Sequence, residues 1–141
     1  MIVGYTAGAF DLFHIGHLNL IKRAKEKCDY LIVGVTTDDL IYNTKYKRPV
    51  IPYEERAEII GSLKYVDKVV PQDDLDKVLA WKKYNYNILF SGDDWKTSPR
   101  WQGYVEELKK HNVEVVFFPY TKTTSSTLLT SALKEIVKEK V

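Results

Sequence analysis

The stretch Gly8-Ala9-Phe10-Asp11-Leu12-Phe13-His14-Ile15-Gly16-His17 decides the reading of this chain. It follows a short apolar segment, Ile2 and Val3 through Thr6, that predicts a buried strand. From Leu18 the pattern becomes helical, with Leu18, Leu20, Ile21 and Ala24 apolar and Lys22, Arg23, Lys25, Glu26 and Lys27 polar. A strand, a glycine-bearing turn and two histidines at a helix start form a natural anion site. The first helical turn has unpaired N–H groups and the positive end of the helix dipole. Gly16 permits close approach of an anion or a backbone, and His14 and His17 add donors that can carry charge. Two chance histidines, or half of a zinc site, are the plain alternatives. His111 is the one other histidine and Cys28 the one cysteine, and no second ligand pair stands at zinc spacing.

With 141 residues the chain reads as one domain, 1–141, large enough for a real core. Its 45% hydrophobic and 28% charged content is that of an ordinary globular protein. A net charge of +2 is too weak to suggest a nucleic-acid partner. One cysteine excludes an internal disulfide and fits a reducing compartment. No apolar run approaches the roughly 18 residues of a membrane span. The N-terminus enters a strand without a basic leader, so a cytoplasmic location and no membrane partner are expected.

Further along, Tyr30–Thr36 is a continuous apolar run and predicts a strand buried on both faces. Ile41–Val50 lacks a period and carries Lys45, Lys47, Arg48 and Pro49, which predicts a mobile basic loop. Helices are expected over 52–63, 74–84, 100–111 and 125–138. Short strands are expected over 68–70 (stopped by Pro71), 88–91 and 113–118. Five strands alternating with helices predict an α/β fold: a single-domain, Rossmann-like, doubly wound five-stranded parallel sheet. Ligands of such sheets sit at the carboxyl ends of strands near the topological switch. The polar clusters Gly8–His17, Thr36–Asp39, Gly92–Trp95 and Thr121–Thr127 each follow a strand, and together they point to one crevice.

Each cluster also has a plainer reading. Thr123-Thr124-Ser125-Ser126-Thr127 suits a helix cap, and equally a cap that leaves N–H groups for a phosphate, with Lys122 adding charge. Gly92-Asp93-Asp94-Trp95 suits a turn, and equally carboxylates and carbonyls that read a base amino group. Lys45, Lys47 and Arg48 suit a solvated loop, and equally a flap that closes on polyanions. Arg56 follows Tyr53-Glu54-Glu55 and is the stronger candidate for phosphate contact. Trp81 and Trp101 fall on predicted helices and read as packing residues, and most of Tyr42, Tyr46, Tyr84, Tyr86 and Tyr104, which follow no regular spacing, read as surface or interface residues and not as a base-stacking platform.

The histidine run carries the HxGH signature of the nucleotidyltransferase superfamily. With CDYLIVGVTTD (28–38), YEER (53–56), KYVDKVV (64–70), SGDDW (91–95) and TKTTSST (121–127), the chain resembles the glycerol-3-phosphate cytidylyltransferase family almost end to end. That resemblance implies a homodimer that uses CTP and Mg²⁺. A phosphate oxygen of a small polyol phosphate attacks the α-phosphorus in line, and pyrophosphate leaves. It implies catalytic roles for His14, His17, Lys45 and Arg56. Nucleotide contacts fall to Gly8, Ala9, Phe10, Asp11, His14, Gly16, His17, Gly92, Asp94, Thr121, Ser125, Ser126 and Thr127. Acceptor contacts fall to Lys45, Arg56 and Lys64. No direct protein ligand for a metal is implied, the Mg²⁺ being carried by the triphosphate. The product would be CDP-glycerol for a cell-surface polymer such as teichoic acid or capsule. Against the family pattern, Tyr120 replaces an Arg, Thr123 a Gly, Thr124 an Ile, Ser126 a Thr, Ala9 a Thr and Lys64 an Arg. Loss of that first Arg removes a bidentate phosphate contact and opens the acceptor to others such as glycerol-2-phosphate. An adenylyltransferase of the same fold and a non-enzymatic nucleotide sensor are the competing readings. An aminoacyl-tRNA synthetase is disfavoured by the short chain and the weak charge.

Overall fold

Residue pairing is set by β1 (Val3–Gly8), which lies at the centre of a five-stranded, all-parallel sheet of order β3-β2-β1-β4-β5. The computed structural model describes residues 1–119 and 126–139, the side chains of 94, 126, 127 and 137–139 excepted. After β1 come α1 (Ile15–Glu26), β2 (Tyr30–Thr36), α2 (Asp38–Lys45), α3 (Tyr53–Gly61) and β3 (Lys68–Gln72). They are followed by α4 (Lys77–Tyr84), β4 (Ile88–Gly92), a 3-10 turn at Asp93–Trp95, α5 (Pro99–Lys109), β5 (Glu114–Phe118) and α6 (Ser126–Glu139). The chain works outward from β1 to the β3 edge, then crosses back to β4. The topological switch therefore lies between β1 and β4, as the strand and helix alternation predicts.

Alternation along the strands divides the core in two. Leu31, Val33 and Val35 of β2 pack with Ile21 and Ala24 of α1 and Ile60 of α3. Ile32 points the other way and joins Tyr5, Leu89, Tyr86, Trp101 and Leu108. Gly34 shares that second face, where an added Cβ would stand 2.5 Å from the Tyr5 hydroxyl. Tyr5 has no room to yield, because it stacks on Tyr86 at 5.0 Å and on Tyr84 at 5.7 Å. A glycine thus completes the apolar run of β2 by making space for a tyrosine.

The structure corrects several boundaries. The expected mobile loop over 41–50 is helical as far as Lys45, with Thr37 capping α2 through its hydroxyl on the Leu40 N–H at 3.2 Å. Tyr46 ends α2 in the left-handed region at φ 56°. β3 runs through Pro71 to Gln72, because β3 is an edge strand and an edge position tolerates a missing N–H. α4 starts at Lys77, later than its polar lead-in suggests, because Asp76 accepts the Val78 and Leu79 N–H groups as the N-cap. Tyr86 is buried, not a surface residue, and its hydroxyl donates to the Lys77 carbonyl at 2.7 Å. Trp81 and Trp101 pack in the second core, as their place on helices predicts.

Lys77 is a buried amine, with its ammonium 5.6 Å from the Trp101 ring centre. Burial lowers its pKa from 10.5 to about 8, against the opposing fields of Asp76 and Asp74. The unfolded chain thus holds this proton to higher pH than the folded one, so stability rises as pH goes from about 8 toward 10. Above about 10 the trend reverses, because burial raises the pKa of Tyr5 and Tyr86 in the fold. At ~1.4 kcal/mol per pH unit the Lys77 contribution spans about 3 kcal/mol. Urea unfolding across pH 7–10 is expected to show this rise in the wild type and its loss in Lys77→Met, whose stability instead declines toward pH 10 as Cys28 and the buried tyrosines begin to ionise in the unfolded chain.

Candidate functional site

A cleft of about 470 Å³ opens at the switch point, bounded by Gly8 at the end of β1, Gly92 at the end of β4 and Phe118 at the end of β5. Its size suits a nucleotide-scale ligand, small-molecule sites spanning about 300–1,000 Å³. The turn from β1 into α1 forms one wall. Phe10 and Leu12 both sit in the left-handed region, at φ 52° each, a conformation that side-chain-bearing residues rarely adopt. Phe10 is anchored by burial in the first core. These two reversals bring the chain back so that His14 becomes the N-cap of α1.

His14 Nδ1 accepts the Gly16 N–H at 3.0 Å, and His17 Nδ1 accepts the His14 N–H at 3.3 Å. This is a capping box made of two imidazoles in place of the usual hydroxyl and carboxamide. With both Nδ1 atoms accepting, each neutral ring carries its hydrogen on Nε2. The rings stack 3.9 Å apart, and His17 also lies against Phe10 at 5.4 Å and Phe13 at 5.6 Å. Burial, then the neighbouring His14, lowers the His17 pKa to about 4, and burial lowers that of His14. The sequence suggests donors that can carry charge; in the ligand-free protein the pair is neutral near pH 7 and still offers two N–H donors.

Among the described lining side chains, five are cationic (Arg23, Lys45, Lys47, Arg48 and Lys134) and one, Asp11, is a carboxylate. The surplus of cations suits a polyanion. Gly8, Ala9, Phe10, Asp11, His14, Gly16, His17, Lys45 and Gly92 all line the cleft, so the clusters Gly8–His17 and Gly92–Trp95 meet there, whereas Thr36–Asp39 does not line it and instead supplies the Thr36 carbonyl and Asp38 to Arg56. Arg23 and Lys134 are the residues that reading missed. Gly16, Asn19, Leu20 and Arg23 share one helical face at spacings of three and four, and Thr130, Ser131 and Lys134 do the same on α6. Helical spacing from the motifs was the signal available.

Two expected contact residues lie elsewhere. Arg56 is 1% exposed, and its guanidinium is taken up by protein acceptors. Nε donates to the Ile51 carbonyl at 2.8 Å, and Nη1 to those of Ala9 at 2.7 Å and Thr36 at 2.8 Å. Nη2 pairs with Asp38 Oδ1 at 2.5 Å. In this arrangement Arg56 braces the cleft from behind and does not line it. Lys64 is exposed in the turn before β3, on the amino-terminal side of the sheet, with its ammonium over the Tyr65 ring at 5.3 Å. It does not reach the cleft of its own chain. Asp94 lies in the 3-10 turn after β4, which places its backbone beside the cleft residues Gly92 and Trp95. Thr121 and Ser125 lie outside the described residues, and Ser126 and Thr127 open α6. No group of three or more His, Cys, Asp or Glu is placed to hold a metal among the described residues.

Paired imidazole donors at a helix start, on the switch point of a parallel sheet, define the protein as a nucleotidyltransferase. The chain belongs to the cytidylyltransferase-like family, whose family model matches residues 5–135. It is 37% identical over 123 residues to a glycerol-3-phosphate cytidylyltransferase of Bacillus spizizenii, covering 86% of this chain and 89% of that protein. It is also 34% identical over 136 residues to an FAD synthase of Thermococcus sibiricus, covering 94% of this chain and 90% of that one. Among solved structures, the lipopolysaccharide core biosynthesis protein of Thermoplasma volcanium aligns with a TM-score of 0.72 at 26% identity, covering 88% of this chain and 99% of that chain.

The backbone bonds to both Nδ1 atoms have a spectroscopic consequence. Long-range ¹H–¹⁵N spectra of the ligand-free protein are expected to show both rings as the Nε2–H tautomer at pH 7, with His17 staying neutral until pH falls toward about 4. A ring protonated on Nδ1 at pH 7 contradicts the arrangement.

Proposed function

We propose that the protein transfers CMP from CTP to a small polyol phosphate, glycerol-3-phosphate first among them, giving CDP-glycerol and pyrophosphate. The observation that carries this reading is the neutral His14–His17 pair with both Nε2–H groups left as donors beside a cleft rich in cations. A phosphate oxygen of the acceptor attacks the α-phosphorus, the bond from that phosphorus to the bridging oxygen breaks, and pyrophosphate departs. Little covalent chemistry falls to the protein, so catalysis is positioning and charge stabilisation. His14 and His17 donate to the phosphate oxygens on which charge grows. Lys45, Lys47 and Arg48 line the same cleft and would meet the phosphate of the acceptor. Arg23 and Lys134 add two further cations to the same cleft. Mg²⁺ would be carried by the triphosphate, where it would offset the phosphate charge. That fits a cleft whose described carboxylate, Asp11, already accepts two backbone N–H groups.

The same proposal includes a homodimer, an intracellular site of action and a product used in cell-surface polymer synthesis. No helix among the described residues is long and apolar enough to cross a membrane. The FAD synthase relative favours a second reading, adenylyl transfer, in which ATP replaces CTP in the same cleft.

The test is pyrophosphate release with Mg²⁺ and either CTP or ATP, against glycerol-3-phosphate, glycerol-2-phosphate, ribitol-5-phosphate and phosphocholine. Turnover with CTP and a glycerol phosphate is expected. Turnover with ATP alone moves the protein to the adenylyl reading, and CTP binding without turnover on any acceptor makes it a sensor. His17→Ala is expected to lower kcat by ~10²-fold or more with the fold retained, as for a lost transition-state donor. Near-normal turnover in that variant refutes the role given to the pair.

A further inference from the structure

The segment 46–51 joins α2 to α3 and carries Lys47 and Arg48 to the cleft, beside Lys45 at the end of α2. Little apolar burial holds it there. Tyr46 is 85% exposed and Val50 58% exposed, and Lys47 and Arg48 are exposed as well. Its attachments are polar. Asp11, in the turn before His14, accepts the Val50 N–H on Oδ2 at 2.8 Å and the Ile51 N–H on Oδ1 at 2.9 Å. The Ile51 carbonyl in turn accepts the Arg56 Nε–H at 2.8 Å. At the other end the Arg48 guanidinium lies over the Tyr42 ring at 5.1 Å.

Asp11 is otherwise out of place. Five cations and one carboxylate among the described lining residues make a cleft for an anion, and a carboxylate aimed at that ligand repels it. A carboxylate turned onto two backbone N–H groups is neutralised in part and does a different task. We propose that Asp11 is a positioning residue, whose carboxylate latches segment 46–51 to the histidine turn and so holds Lys45, Lys47 and Arg48 over the cleft. Arg56 closes the latch from behind, since one guanidinium bonds both Ile51 and Ala9, the residue two before Asp11. The basic segment is then ordered before the ligand arrives, and binding does not bear the entropy of ordering it. The kinetic consequence rests on the nucleotide-transfer reading; the latch itself does not.

Limited trypsin digestion tests the latch without any activity. Lys45 and Lys47 offer cleavable bonds in or beside the segment, while the Arg48–Pro49 bond resists trypsin. In Asp11→Ala, cleavage after Lys45 and Lys47 is expected to speed up by about tenfold or more, as for a segment released to local opening. Asp11→Asn keeps one acceptor oxygen and is expected to fall between Asp11→Ala and wild type. It also serves if the alanine variant fails to fold. Sites outside 45–48 are expected to be cut at the wild-type rate. In turnover assays KM for the phosphate substrates is expected to rise by ~10-fold with kcat changed less than about threefold, as for lost uniform binding. Cleavage at the wild-type rate with a collapsed kcat overturns the proposal and places Asp11 on the substrate. Cleavage accelerated over the whole chain also overturns it, by making Asp11 a general stabiliser. Absence of turnover in the wild type refutes the functional reading and leaves the digestion result to decide the latch.

Discussion

The buried guanidinium of Arg56 is the interaction on which the geometry of the cleft depends. Three of its acceptors are main-chain carbonyls from separate places: Ala9 just beyond β1, Thr36 at the end of β2, and Ile51 before α3. The fourth is Asp38 Oδ1, whose partner oxygen accepts the Tyr53 N–H at 3.3 Å at the start of α3. Burying a guanidinium costs several kcal/mol unless its donors are satisfied, and here the acceptors converge on it. The carbonyls at strand ends are in turn groups that a parallel sheet leaves without a ladder partner. One side chain therefore settles both problems and fixes the histidine turn relative to the basic segment. A lysine has neither the planar fork nor the number of donors to do the same.

The chemistry follows from a second constraint, that two imidazoles are packed against each other in a partly dry site. Protonating either one charges a ring stacked on its neighbour, so both stay neutral and spend their Nδ1 atoms on the helix start. Their Nε2–H groups are thereby fixed in direction without a carboxylate to orient them. Donors already aimed need little reorganisation during reaction, which is where electrostatic stabilisation is most effective.

Much of this was legible in the residues. The apolar run of β2, the alternation of strands and helices, and the polar clusters after strands were enough to specify a doubly wound sheet and to place the histidine turn and the end of β4 at the cleft. What escaped were features whose cause lies across the fold. α2 was hidden because it is short, with Ile41 its one buried residue, and runs directly into a basic segment without a period, although Thr37 before Asp38 and Asp39 is a helix-start pattern. Pro71 seemed to end β3 because an edge strand cannot be told from a central one by its own residues. Arg56 looked like a phosphate ligand because it follows Tyr53-Glu54-Glu55 in the YEER segment that carries the family resemblance. Nothing local reveals that the carbonyls of Ala9 and Thr36 meet around it.

The sequence by itself determined the class of fold, the histidine turn at the first helix and the set of strand ends that carry function, because these follow from periodicity and from residues adjacent in the chain. Tertiary structure alone decided which cations line the cleft, that Arg56 braces it while Lys64 lies on the other side of the sheet, and that Asp11 turns onto the backbone of Val50 and Ile51. Those outcomes depend on distances between residues tens of positions apart, and on burial, which sets both the partners of a charge and its protonation.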